Sequence, residues 1–85
     1  MKIIVSPRAE KQFRELQKFD QIAITQKIRS LTESTLNEEK LSGYKDMFRV
    51  RIGDYRIVYR KFDDIYIILI GHRKDVYKLL KDVMR

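Results

Sequence analysis

The chain has 85 residues, no cysteine, one histidine and a formal net charge of +7. That length sets one small domain, residues 1–85, which buries only about 60–65% of its unfolded surface, and the Cys and His counts exclude disulfides and disfavour a zinc site. The charge favours an anionic partner, while no apolar run approaches the ~18 residues of a membrane span and the first apolar run is too short for a signal peptide, so a cytoplasmic protein without a membrane partner is expected.

Ile3, Ile4 and Val5 form a short β-branched run that reads as a first strand. Ser6-Pro7 reads as a helix start, with Ser6 as N-cap and Pro7 at the first helical position. Ala9, Phe13 and Leu16 then share one helical face. Asp20 is placed to cap a second helix, in which Ile24, Ile28 and Leu31 repeat that spacing. Residues 34–46 are polar, contain Gly43 and read as a loop. The period then changes to two: Phe48, Val50 and Ile52 alternate with Arg49 and Arg51. Gly53-Asp54 supplies a two-residue turn of type II′. Tyr55, Ile57 and Tyr59 alternate with Arg56, Val58 and Arg60 in the next strand. After a second turn at Phe62-Asp63-Asp64, residues 65–70 are continuously apolar, as expected of an inner strand, and Gly71 ends them. Residues 75–84 read as a closing helix with Val76, Leu79, Leu80 and Val83 on one side. The order is β-α-α-β-β-β-α: an α+β fold in which a helical hairpin packs on one face of a small antiparallel sheet and leaves the other face open.

The charge is uneven. Residues 1–42 hold eight Lys/Arg against six Asp/Glu, whereas residues 43–85, which contain the sheet-forming pattern, hold eleven against six. With Gly53 and Asp54 as the turn, Ile52 opposes Tyr55, Arg51 opposes Arg56 and Val50 opposes Ile57. Val50 and Ile57 then face the helices, and Arg51, Arg56 and the diagonal Arg49 share the open face. Like charges directly opposite one another destabilise a sheet, and each guanidinium presents a planar fork suited to phosphate. That combination points to a polyanion, RNA, as the ligand. His72, Arg73 and Lys74 follow the last strand, Tyr77 lies four residues beyond Arg73, and Lys45 precedes the basic strand. A loop at a strand end is exposed yet held by a rigid frame. Tyr44 is a loop aromatic available for base stacking.

At these residues the chain resembles the RelE/ParE toxin superfamily, the RelE-type messenger RNA endonucleases in particular. The resemblance covers nearly the whole chain and is carried by KLSGYKDMFRVRIGDYRIVY, residues 40–59, and IGHRKDVY, residues 70–77. It implies the RelE-like fold and a toxin of a type II toxin-antitoxin system. Such a toxin cleaves messenger RNA in the ribosomal A site and is neutralised by a RelB-like antitoxin, with no metal and no cofactor. It also implies that Arg51, Arg56, His72, Arg73 and Tyr77 form the catalytic group, with Arg49 beside them binding RNA; Lys45 and Lys74 are the further basic residues expected to bind RNA. One departure stands out. RelE-type sites often carry lysines where this chain has Arg49 and Arg51, and arginine does not shed its proton. Those two positions are left to bind phosphate. Some relatives use a glutamate base on this sheet, but the basic strands here contain no acidic residue.

In the implied reaction the RNA 2′-hydroxyl attacks the neighbouring phosphate. Arg51 and Arg56 hold the phosphate oxygens, and Arg73 joins as charge builds. Tyr77 and His72 are the candidates for proton transfer, a phenolate needing nearby cations and an imidazole titrating near neutrality. Two other readings compete: a ParE-like inhibitor of DNA gyrase, which would not need this constellation, and a non-catalytic RNA-binding module.

Overall fold

The computed structural model describes residues 1–33 and 37–83. The β-branched run forms β1, Ile3–Val5, and Ser6 turns the chain into α1, Pro7–Arg14. Ser6 Oγ accepts from the Ala9 N–H at 3.1 Å and Pro7 opens the helix, as the sequence predicts. A tight turn leads to α2, Lys18–Ser30, and the Gln21 side-chain amide donates to the Phe13 carbonyl near the end of α1 at 3.0 Å. Asp20 does not cap α2. The helix starts earlier, with Gln17 at the N-cap and no side-chain capping bond, so Asp20 falls within the first turn, where its charge still complements the helix dipole.

Within the segment read as a loop, the chain forms a two-residue edge strand, β2, Glu39–Lys40. Residues 34–36 of that segment, and Met84 of the predicted closing helix, lie outside the described residues. Three longer strands follow: β3, Met47–Ile52; β4, Tyr55–Lys61; and β5, Ile65–His72. A last helix, α3, spans Val76–Val83. At the β3–β4 turn Gly53 has φ +57°, whereas Asp54 is not in the positive-φ region, the pattern of a type II′ turn. The resulting register pairs Ile52 with Tyr55, Arg51 with Arg56 and Val50 with Ile57, as expected from the turn.

The five strands lie in the order β1-β5-β4-β3-β2. β2–β3, β3–β4 and β4–β5 pair antiparallel, but β1 pairs with β5 in parallel, so the sheet is mixed rather than antiparallel. Parallel neighbours need a long connection, and everything from α1 to β4 supplies it. β1 covers only Ile65 to Ile67 of β5. Past its end, α1 takes over. Ser6 Oγ donates to the Ile68 carbonyl at 3.0 Å, and Gln12 Oε1 accepts from the Ile70 N–H at 2.9 Å, so strand groups that β1 cannot reach still have partners.

The helical hairpin buries Ala9, Ile24 and Leu31 against Val50, Ile57, Tyr59, Ile65, Ile67 and Ile70. On the opposite face α3 buries Val76 and Leu80 against Leu41, Met47, Val58 and Leu69. The second face is thus half covered, not open along its length. One irregularity governs which side chain reaches which face. Along β4 the partners of Val58 and Tyr59 are Leu69 and Ile67, leaving Ile68 as the extra residue of a bulge. Ile68 and Leu69 both pack on the α3 side, and Ile70 returns to the hairpin side.

Candidate active site

On the half of the second face that α3 leaves uncovered, side chains fall into two rows. Arg51 stands opposite Arg56, which stands opposite Gly71. In the next row Glu39 stands opposite Arg49, Arg49 opposite Val58, and Val58 opposite Leu69. α3 lies over the apolar end of the second row. The three arginines therefore form a triangle between the hairpin turn, the edge strand β2 and α3.

Each corner is held differently. The Arg56 guanidinium donates through Nη1 to the Tyr55 carbonyl at 3.1 Å and to the Gly53 carbonyl at 3.4 Å, which fixes it against the turn. Its pKa is lowered, first by partial burial and then by the neighbouring charges of Arg51, Arg49 and Arg73. Arginine remains charged regardless. Arg49 is gripped from two sides. Its Nη2 meets Glu39 Oε2 at 2.6 Å, and its Cζ lies 5.3 Å from the centre of the Tyr77 ring. The second contact is a cation–π arrangement, in which the ring face attracts the guanidinium. The hydrogen bond and charge of Arg49, followed by the charges of Arg51 and Arg56, hold the Glu39 carboxyl below the usual carboxylate range. Arg73 is tied to the turn: its N–H donates to the Asp54 carbonyl at 2.7 Å and its Nε lies 3.8 Å from the Asp54 carboxylate.

Five of the residues singled out from the sequence thus converge around one patch: Arg49, Arg51, Arg56, Arg73 and Tyr77. His72 does not join them. It pairs with Tyr55 across the sheet, contacts that ring edge-on at 5.9 Å, and lines a hollow with Phe19 and Asp20 of α2. It is on the hairpin face, the sheet's other side. Its Nδ1 accepts from the Lys74 N–H at 3.2 Å, so it serves as a local cap for the turn after β5. The bulge at Ile68 is the cause, because it inverts the alternation of β5 beyond that point. Tyr55 is affected on the same side: its hydroxyl is raised above the ordinary tyrosine value, first by burial and then by the Asp20 carboxylate. Lys74 projects into solvent near the turn. Lys45 lies at the far end of the sheet, in a hollow shared with Arg60, Phe62 and Tyr66, and so is separated from the arginine triangle.

Glu39 is the residue that sequence reasoning missed. It lies on β2, a strand too short and too polar to carry a period-two signal. The neighbouring Glu38 anchors that strand from the opposite face: its carboxylate accepts from the Tyr59 hydroxyl and meets Lys61 Nζ at 3.0 Å. Lys61 also lies 5.3 Å from the centre of the Phe48 ring, which stacks on Tyr59. Two consecutive glutamates therefore clamp β2, one on each side of the sheet.

Comparison with known proteins matches the chain and its fold to a class of small toxins. The family model described as the ParE toxin of type II toxin-antitoxin systems, parDE, matches residues 3–77. The isolated RelE toxin of E. coli superposes with a TM-score of 0.75, covering 99% of this chain and 98% of that one at 25% identity. The toxin chain of the intact E. coli RelBE toxin-antitoxin complex gives a TM-score of 0.73, covering 84% and 94% at 25% identity. The RelB-RelE antitoxin-toxin complex of Methanococcus jannaschii shares the fold at a TM-score of 0.73, with 87% and 94% covered and 23% identity. No curated protein matches the chain significantly. The chain belongs to the RelE/ParE family and is a toxin of a type II toxin-antitoxin system.

Proposed function

We propose that this toxin is an endoribonuclease that cleaves messenger RNA in the ribosomal A site and thereby stops translation. The observation that carries the reading is the arginine triangle: Arg51 directly facing Arg56, with Arg49 diagonal to them and held against both Glu39 and Tyr77. A structural role does not call for facing cations on an exposed strand pair, whereas a phosphodiester does.

In the proposed step the RNA 2′-oxygen forms a bond to phosphorus, the bond from phosphorus to the 5′-oxygen breaks, and the products are a 2′,3′-cyclic phosphate and a 5′-hydroxyl. Arg51 and Arg56 grip the non-bridging oxygens, and Arg73 adds charge as the phosphorane forms. Preorganised donors of this kind supply about 2.7–4 kcal/mol each. Arg49 lies between a carboxylate and a phenol. The ionised Glu39 is placed to accept the 2′-hydroxyl proton, as a base that its bond to Arg49 weakens, and Tyr77 to donate a proton to the departing 5′-oxygen. His72, on the other face, has no role in this scheme. The step as written draws on side chains alone, with no metal.

The neighbours crystallised as RelB-RelE complexes support a RelB-like antitoxin as the partner that neutralises this chain. The parDE label of the matching family model favours a second reading, inhibition of DNA gyrase. Primer extension on a defined messenger in a purified translating system separates the two, with wild type and Arg56→Ala side by side. Cleavage at the A-site codon by wild type alone supports the ribonuclease. Intact messenger with both proteins, together with inhibited supercoiling by gyrase, would replace it with the ParE-like reading. Salt-sensitive RNA binding without turnover would leave a non-catalytic RNA-binding module.

A further inference from the structure

Beside the arginine triangle, a groove of about 370 Å³ runs between α3 and the segment joining β2 to β3. Leu80 contributes to its floor, Tyr44, Arg49 and Tyr77 line it, and Lys40 and Lys81 complete its rim. Tyr77 and Lys81 are four residues apart on α3 and so present side chains on one helical face. Lys81 is exposed, Tyr77 is 40% exposed, and Tyr44 is half-buried. Among the described residues no carboxylate lines this groove. A contrast is available in the same molecule. The hollow of about 630 Å³ at the far end of the sheet also has aromatic walls, Phe62 and Tyr66, but there Lys45 and Arg60 are cancelled by Asp46 and Asp63.

We infer that this groove is a nucleotide subsite, in which a nucleotide flanking the scissile phosphate stacks its base on Tyr44 and sets its own phosphate against Lys81. The inference rests on the ribonuclease reading and extends it. Three physical points carry it. The groove is continuous with the proposed catalytic patch, since Arg49 and Tyr77 belong to both. Its two lysines, Lys40 and Lys81, meet no carboxylate among the described lining residues, unlike the cations of the far hollow, while Arg49 is paired with Glu39 at the groove's edge. Its walls combine an aromatic face with cations, the pairing by which proteins hold single-stranded nucleic acid without reading its sequence. A strand entering here would pass the Tyr77 ring before it reaches the arginines.

The test uses a short fluorescein-labelled single-stranded RNA spanning the cleaved codon, with the attacking 2′-hydroxyl replaced by hydrogen. Binding is followed by anisotropy across a salt series, and cleavage of the unmodified messenger is followed in the translating system. Lys81→Gln, which removes the charge and keeps a polar side chain one atom shorter, should lower the slope of log affinity against log salt by about 0.7, the value of one phosphate contact on a single strand. Tyr44→Leu, which keeps apolar packing, should weaken binding by about 5- to 150-fold, while Tyr44→Phe should bind as wild type does. Lys11→Gln, on the opposite side of the sheet, should leave the slope unchanged. Wild-type slope and affinity in both Lys81→Gln and Tyr44→Leu, with messenger cleavage intact, would overturn the subsite and leave the ribonuclease standing. An equal fall in slope for Lys11→Gln and Lys81→Gln would reduce the effect to net charge and overturn it too. Unchanged RNA binding with lost binding of a polyglutamate peptide would make the groove a protein-docking surface instead. Absence of both cleavage and RNA binding in wild type would sink both readings together.

Discussion

Arg51 and Arg56 face each other across the β3–β4 hairpin, one row in from the turn. Two guanidinium groups in register repel, and the neighbouring Arg49 and Arg73 add to the positive field at Arg56. The fold thus bears an electrostatic cost that an incoming phosphate would relieve. Arg56→Ala should therefore separate stability from activity. The denaturation midpoint should stay level or rise, and single-turnover cleavage should fall about 100- to 1000-fold, the loss of one preorganised donor. A variant that unfolds and loses activity in parallel would show Arg56 to be structural.

Tyr77 and His72 should behave oppositely. Tyr77→Phe keeps the ring against Arg49 and removes only the hydroxyl, so the fold should persist while cleavage drops by about 100- to 10,000-fold if the phenol transfers a proton. His72→Ala should cleave within a few-fold of wild type. Its cost should be conformational, about 0.5–1.5 kcal/mol from the lost edge-on contact with Tyr55. Parallel cleavage and urea-denaturation measurements on the pair would detect a reversal, which would return His72 to the chemistry.

The Glu39–Arg49 pair fixes a pH dependence. Arg49 holds the Glu39 carboxyl below the usual carboxylate range, so the folded value is lower than the unfolded one. The pair's contribution is then fully present above the ordinary carboxylate pKa and is lost as pH falls through the depressed folded value. Carboxyl-carbon NMR titration should show Glu39 titrating low in wild type. In Arg49→Ala its midpoint should move up toward the ordinary range. An unmoved midpoint would assign the depression to another group.

Tyr59 supplies the strongest stability prediction. Its hydroxyl donates to Glu38, and burial, then that hydrogen bond and carboxylate, raise its pKa well above the ordinary tyrosine value. A raised folded value means that the contribution is complete below the unfolded pKa and fades only as pH climbs through the folded one. Tyr59→Phe should cost about 1.5–3 kcal/mol near neutrality, as for hydrogen bonds to charged groups. It should also flatten the alkaline limb of stability measured by urea denaturation. Because Glu38 anchors β2, the same variant should loosen Glu39.

Legibility in the sequence followed the regularity of each element. The hairpin register could be derived because a Gly-first two-residue turn admits one pairing, and the arginine face came with it. Ser6 and Pro7 announced α1 through chemistry that acts within four residues. The failures arose where no local rule operates. Nothing near Ile3 selects β5 as its parallel neighbour. β2 has two residues, both charged, and no apolar position of its own to declare it. The bulge at Ile68 is invisible in an unbroken apolar run, yet by strict alternation from Ile65 it alone decides that His72 turns away from the arginines.

The pairing of β1 with β5 has a consequence for the order of assembly. Ile3 meets Ile65, and the Ser6 N–H donates to the Ile67 carbonyl at 2.9 Å, so the two strands close a loop that takes in α1, α2 and three other strands. Closing so large a loop costs chain entropy that local hairpins do not incur. The β3–β4 hairpin, with its facing arginines, can form early from neighbouring residues. α3, which brings Tyr77 and Lys81, needs β5 in place as its platform. A chain under synthesis would therefore display its facing arginines before it could complete the surface around them, and that surface would be whole only at the last step of folding.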